Sequence, residues 1–302
     1  MLLPLIFAFA QLLADTATTS AGAQDPAWGT GGRLAVGIRG DLWIRSSPEG
    51  TARWMRITQG PQWDRSPAWS ADGAMLVFTS TATGVPQLWR VTVGVAGAAS
   101  APERVTTSRD VESEPALSGD GSMAFVRGRG PLARIWLRRP DGSERRLTKR
   151  ESGAERWPAW SPDGARLVYS TVSEGRTRLR LHMIAGDSSR VVVEDRDAER
   201  ASWSPDGRIT FATRSGRAGV WITTPDARYV NLVSGRRAAP AWSLDGRSLA
   251  LVELPPADPG YNGDPDRLGD RELRDAKART LFAQPFVFGP DTIPFTTVME
   301  GG

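Results

Sequence analysis

Cysteine is absent from the 302 residues, which excludes disulfides, thiolate nucleophiles, cysteine-bound metals and a lipidated cysteine. Histidine is almost absent: His182 is the only one, so no histidine-cluster metal site can form and any serine triad would have to use this one imidazole. Lysine is scarce too. Lys149 and Lys277 are the only two, so nearly all of the 38 basic residues are arginine. Neither a Gly-x-Ser-x-Gly nucleophile elbow nor a Walker-type phosphate loop occurs. The apolar stretch Leu2 to Leu13, broken by Gln11, falls well short of the roughly 20 residues needed to span a bilayer.

That stretch is followed by Ala21-Gly22-Ala23, a small-x-small cleavage site before Gln24, and together they read as a secretory signal peptide over residues 1–23. No Lys or Arg precedes the run, the first basic residue being Arg33, so a retained N-terminal anchor is the other reading. The expected location is the periplasm, with association to a membrane. A formal net charge of +4 and a pI near 10.0 suit an anionic partner. For an exported protein that favours acidic protein or anionic lipid headgroups, and nucleic acid is not expected.

What the chain has in plenty is one repeated phrase. It reads Trp69-Ser70-Ala71-Asp72-Gly73, Trp160-Ser161-Pro162-Asp163-Gly164, Trp203-Ser204-Pro205-Asp206-Gly207 and Trp242-Ser243-Leu244-Asp245-Gly246. Leu117-Ser118-Gly119-Asp120-Gly121 is a fifth copy, and Trp28-Gly29-Thr30-Gly31-Gly32 a worn sixth. The spacing of roughly 40 residues, with four strand-like runs per unit, is that of a β-propeller blade. In the unit from Trp157 to Asp195 the runs are Pro158–Ser161, Arg166–Val172, Arg178–Ile184 and Arg190–Val193. Third runs elsewhere carry Trp43, Trp89, Trp136 and Trp221, and fourth runs end in pairs such as Ile57-Thr58, Val105-Thr106 and Leu147-Thr148.

The expected fold is therefore all-β: a six-bladed β-propeller of four-stranded antiparallel blades over residues 24–254. In each anchor, Asp and Gly suit a tight turn, Ser can satisfy a nearby amide, and Trp brings apolar area to the contact between blades. The phrase (Leu/Ile)-Trp, Pro-Asp-Gly, Leu-Thr, then Pro-Ala-Trp-Ser-Pro-Asp-Gly resembles the repeat of the TolB-like propeller family from about Ala27 to Leu254. The resemblance implies a six-bladed propeller, commonly periplasmic and often used for protein contacts, and names no partner.

The last unit shows only two strands, around Ala241-Trp242 and Ser248 to Glu253. Residues 255–302 are expected to close this blade or to dock on a partner. Within them Asp266 to Leu281 reads as a helix, with Asp270/Arg274 and Asp275/Arg279 at i,i+4 spacing, and Leu281–Phe288 and Thr292–Val298 read as strands. Phe282, Phe286, Phe288 and Phe295 form a candidate apolar contact. A second candidate is the basic third unit, where Arg127, Arg129, Arg134, Arg138, Arg139, Arg145, Arg146, Lys149 and Arg150 stand against only Asp141 and Glu144.

No catalytic residue, metal or cofactor is expected. His182 aligns with the third-strand tryptophans and reads as packing. The anchor carboxylates are spread around a ring, whereas Ca²⁺ needs six to eight converging oxygens. Glu112/Glu114 and Glu194/Asp195 read as loop charge rather than a glycosidase pair. The leading reading is a non-enzymatic scaffold that binds protein, in its specific form an extrinsic accessory subunit of a membrane assembly. The alternative is a carbohydrate or small-ligand binder, or an enzyme, working in the central channel.

Overall fold

The computed structural model describes residues 23–45, 54–94, 97–148, 153–213, 216, 218–223, 229–235, 237–253 and 277–282. They form six consecutive antiparallel sheets, five of four strands and a last one of three. The first holds β1 (Ala23–Trp28), β2 (Leu34–Ile38), β3 (Asp41–Arg45) and β4 (Trp54–Arg56). The second holds β5 (Asp64–Trp69), β6 (Met75–Ser80), β7 (Gln87–Thr92) and β8 (Glu103–Arg104). The third comprises β9 (Glu112–Leu117), β10 (Met123–Arg127), β11 (Arg134–Arg138) and β12 (Glu144–Arg146). The fourth comprises β13 (Ala154–Trp160), β14 (Arg166–Ser173), β15 (Arg176–Met183) and β16 (Ser188–Val193). The fifth has β17 (Ala198–Trp203), β18 (Ile209–Thr213), β19 (Gly219–Thr223) and β20 (Tyr229–Ser234), and the sixth β21 (Arg237–Trp242), β22 (Ser248–Glu253) and β23 (Lys277–Phe282).

Each sheet is a simple meander, so one face of the sheet must be covered by its neighbour. The core accordingly lies between sheets. Ala124, Ile135 and Leu137 of the third sheet pack with Leu167 and Tyr169 of the fourth. Val220 and Ile222 of the fifth pack with Trp242, Leu249 and Leu251 of the sixth. Trp28, Leu34 and Val36 of the first share a cluster with Ala250 of the sixth, so the two ends of the array meet.

The anchor tryptophans stitch these contacts. The indole N–H of Trp69 donates to Ala27 O at 3.1 Å, Trp160 to Ala116 O at 3.1 Å and Trp203 to Ala159 O at 3.0 Å, each reaching the innermost strand of the preceding sheet. Trp28 donates to Ala241 O at 3.0 Å and so closes the first sheet on the last. Leu117, which replaces Trp, has no such donor. The Asp-Gly part is turn chemistry throughout: the Gly73 and Gly164 amides donate to Ser70 O and Ser161 O, with φ of +68° and +67° at the glycines. Asp72 Oδ1 takes the Ala74 amide at 2.9 Å and the Ser70 hydroxyl at 2.5 Å.

Two expectations need correction. His182 does not occupy the tryptophan position. Trp136 pairs with Phe125, and the residue that pairs with the equivalent Tyr169 is Arg180; His182 lies two residues on, opposite Leu167. The tight turn at Glu174-Gly175 joins two eight-residue strands and fixes their register, overriding the apolar pattern. His182 is nonetheless buried, with Nε2 3.6 Å from Asp187 Oδ1. In the tail, Lys277–Phe282 is not the end of a helix: it is a strand that pairs along the whole of β22, from Ser248↔Phe282 to Glu253↔Lys277. An open sheet edge offers a row of unpaired backbone groups, whereas i,i+4 ion pairs contribute only about 0.3–0.5 kcal/mol each. The remainder of the expected helix and the run Thr292–Val298 lie outside the described residues.

Candidate functional site at the channel

Every innermost strand carries a bulge at the same place, just before its anchor. The first bulge residue has positive φ in all six sheets: Asp25 (+47°), Ser66 (+51°), Glu114 (+55°), Trp157 (+53°), Arg200 (+47°) and Ala239 (+49°). None is glycine. Each is followed by Pro26, Pro67, Pro115, Pro158, Ala201 or Pro240, and all twelve residues line one cavity of ≈ 140 Å³. Because every sheet contributes, this cavity sits on the axis of the ring. Left-handed backbone at a residue with a side chain costs on the order of 1–3 kcal/mol, and such conformations gather at functional sites.

The lining is charged and paired. The Arg200 guanidinium bonds Asp25 Oδ1, while the Ser66 hydroxyl donates to Asp25 Oδ2 at 2.8 Å. Arg156 bonds Glu114 Oε1 through Nη2 at 2.6 Å and Nε at 2.8 Å, and the Trp157 amide donates to Glu114 Oε2 at 2.6 Å. The Trp157 ring lies between two cations, Arg156 at 5.0 Å and Arg200 at 4.9 Å. Burial alone would raise the Asp25 carboxyl, but Arg200, the Ser66 hydroxyl and Arg65 together hold it below the usual carboxylate range. It therefore stays ionised at neutral pH and is no proton donor. The chain of groups from Ser66 through Asp25, Arg200, Trp157 and Arg156 to Glu114 joins five of the six sheets.

The sequence expectations are distributed differently. Glu112 and Glu114 part company: Glu114 faces the channel, while buried Glu112 takes the Thr106 hydroxyl and two bonds from Arg127. Thr148 and Glu155 repeat the threonine–carboxylate latch, so the ends of the second and third outer strands are tied to the next sheet. Of the basic third unit, Arg127 is committed to Glu112 and Glu144 and stacks 4.2 Å over Trp136. Arg138 pairs with Glu144, Arg134 holds the carbonyls of Pro131, Ala133 and Gly153, and Arg145 lies 3.7 Å from Asp187. Arg129, Arg139 and Arg146 are exposed, as is Leu132 beside Arg129. Phe282 is in β23, and Phe286, Phe288, Phe295, Lys149 and Arg150 lie outside the described residues. Among the described residues no group of three potential metal ligands occurs, and no helix is long and apolar enough to cross a membrane.

A family model described as the TolB beta propeller domain matches residues 17–207. The Tol-Pal system protein TolB of Anaeromyxobacter sp. (strain K) is 28% identical over 218 residues, covering 70% of this chain and 48% of that protein. The chain thus spans about half the length of this relative. Among solved structures, TolB from Acinetobacter baumannii superposes with a TM-score of 0.62 at 21% identity, over 74% of this chain and 57% of that one. A gluconolactonase from Xanthomonas campestris reaches a TM-score of 0.60 at 15% identity, over 77% of this chain and 83% of that one. Likeness at such identities is a likeness of fold.

Proposed function

The chain belongs to the TolB β-propeller domain family, and from that premise we propose that it is a non-catalytic periplasmic propeller whose channel receives a segment of a protein partner. The observation that carries this reading is the strained, charged ring at the axis. Its cavity of ≈ 140 Å³ is well below the roughly 300–1,000 Å³ of pockets that enclose small molecules. Space of that size suits one or two side chains of an inserted loop. Asp25 and Glu114 are each held by a guanidinium, which supports recognition of charge and argues against acid–base work on a carbohydrate. The relatives named for the Tol-Pal system support an envelope setting.

In this reading the three-stranded sheet is the sixth blade, completed within the tail, and residues 1–23 are the export signal. The exposed Arg129, Arg139 and Arg146 form a secondary contact for acidic protein or lipid headgroups, and the tail phenylalanines a further one. The specific role is that of an extrinsic accessory subunit of a membrane assembly. The test is co-purification from detergent-solubilised envelopes with wild type and Trp157→Ala. The expected result is one protein enriched by wild type and lost with the variant, while both melt cooperatively. Equal recovery with both forms would refute the channel as the contact.

A further inference from the structure

A second cavity, of ≈ 290 Å³, lies between the fourth and fifth sheets, away from the axial ring. Its walls divide into two kinds. One is apolar, formed by Leu181, Trp203 and Ile209; the other carries three guanidiniums, those of Arg166, Arg190 and Arg208. Arg166 is held in place by stacking 4.8 Å over the Trp203 ring and by Asp163 at 3.3 Å. Arg208 bonds Asp206. Both acids are already engaged by their own turns, Asp163 by the Ser161 hydroxyl and the Ala165 amide, Asp206 by the Ser204 hydroxyl. Arg190, paired through its backbone with Leu181, is exposed, and its side chain has no ion pair or hydrogen bond among the described residues. The cavity thus holds three cations against two anions that sit in the turns, beside an apolar wall.

An excess guanidinium facing an apolar wall selects a ligand with one anionic end and one greasy end. Inorganic phosphate would leave the wall uncovered, and an amine would meet the cations. A volume at the lower edge of the small-molecule range limits the tail to a few carbons. We propose that this inter-sheet cavity binds a short-chain amphipathic monocarboxylate, its carboxylate on Arg190 and Arg166 and its tail against Trp203, Ile209 and Leu181.

Calorimetric titration of the whole chain with hexanoate, hexylammonium and inorganic phosphate tests this. Hexanoate is expected to bind at one site, phosphate more weakly, and hexylammonium not at all. Arg190→Ala is expected to weaken hexanoate by about tenfold or more, the scale of one charge-assisted hydrogen bond. Arg90→Ala, on the second sheet and paired with Glu103, should leave it unchanged. Arg190→Glu should abolish hexanoate binding and admit hexylammonium. Absence of hexanoate binding, equal binding by Arg190→Ala, or phosphate binding as tightly as hexanoate would overturn the proposal.

Discussion

Charge is spent in this protein largely on single, well-defined geometries, and these set its response to pH. The anchor carboxylates Asp72, Asp120 and Asp163 are lowered first by the hydroxyls of Ser70, Ser118 and Ser161 and then by backbone amides. A carboxyl lowered on folding stabilises above its unfolded value, near 3.9, and that stabilisation is lost as pH falls through the folded value. Asp163→Asn should therefore melt lower than wild type at pH 7, with the gap closing below about pH 4. Glu155 has the opposite sign. Its burial raises it despite the Thr148 hydroxyl and the Ile135 amide, so its ionised form opposes folding at neutral pH and that opposition fades as pH falls. Glu155→Gln keeps the acceptor and is expected to raise the melting temperature at pH 7 and to lose its advantage in acid. Thermal melts between pH 3 and 7 check both. At Ala239, φ of +49° makes glycine cheap: Ala239→Gly should lie within about 0.5 kcal/mol of wild type, whereas Ala250→Gly in regular strand should cost about 1 kcal/mol or more. The anchor was legible in the sequence because its turn chemistry recurs. The channel residues were not, because Asp, Ser, Glu, Trp, Arg and Ala share no chemistry; only their common place, three residues before the anchor's first residue and in five of six cases before a Pro-Ala step, marks them.

At the level of strands and sheets, the repeat length and alternation were enough to place four strands in five of the sheets. What they could not supply was register and partner. Arg180 rather than His182 faces the tryptophan position because a two-residue turn sets the pairing, and Lys277–Phe282 is a strand because β22 has an edge to cover. The Trp–carbonyl bonds between sheets were likewise invisible, though the tryptophans themselves were conspicuous. Trp28→Phe removes the closing bond to Ala241 O while keeping most of the apolar area, and is expected to cost about 1 kcal/mol in urea unfolding. Trp28→Ala should cost about 3–5 kcal/mol. Deleting residues 277–302 exposes the edge of β22 and is expected to lower the melting temperature and promote association.

For the molecule as a whole, arginine takes the place of lysine because a planar guanidinium can stack on tryptophan while pairing with a carboxylate, as Arg127, Arg196 and Arg200 do. The net positive charge is therefore partly structural, and the basic third sheet is less free to meet a partner than its composition suggests. The axial ring is where strain, charge and convergence of all six sheets coincide. A photo-crosslinking residue placed at Ser66 or Ala239, both lining the channel, and for comparison at Glu103 on an outer strand, tests whether that ring is the contact in intact cells. A discrete protein adduct is expected from positions 66 and 239 and not from 103; adducts confined to position 103, or none at the channel, would contradict it.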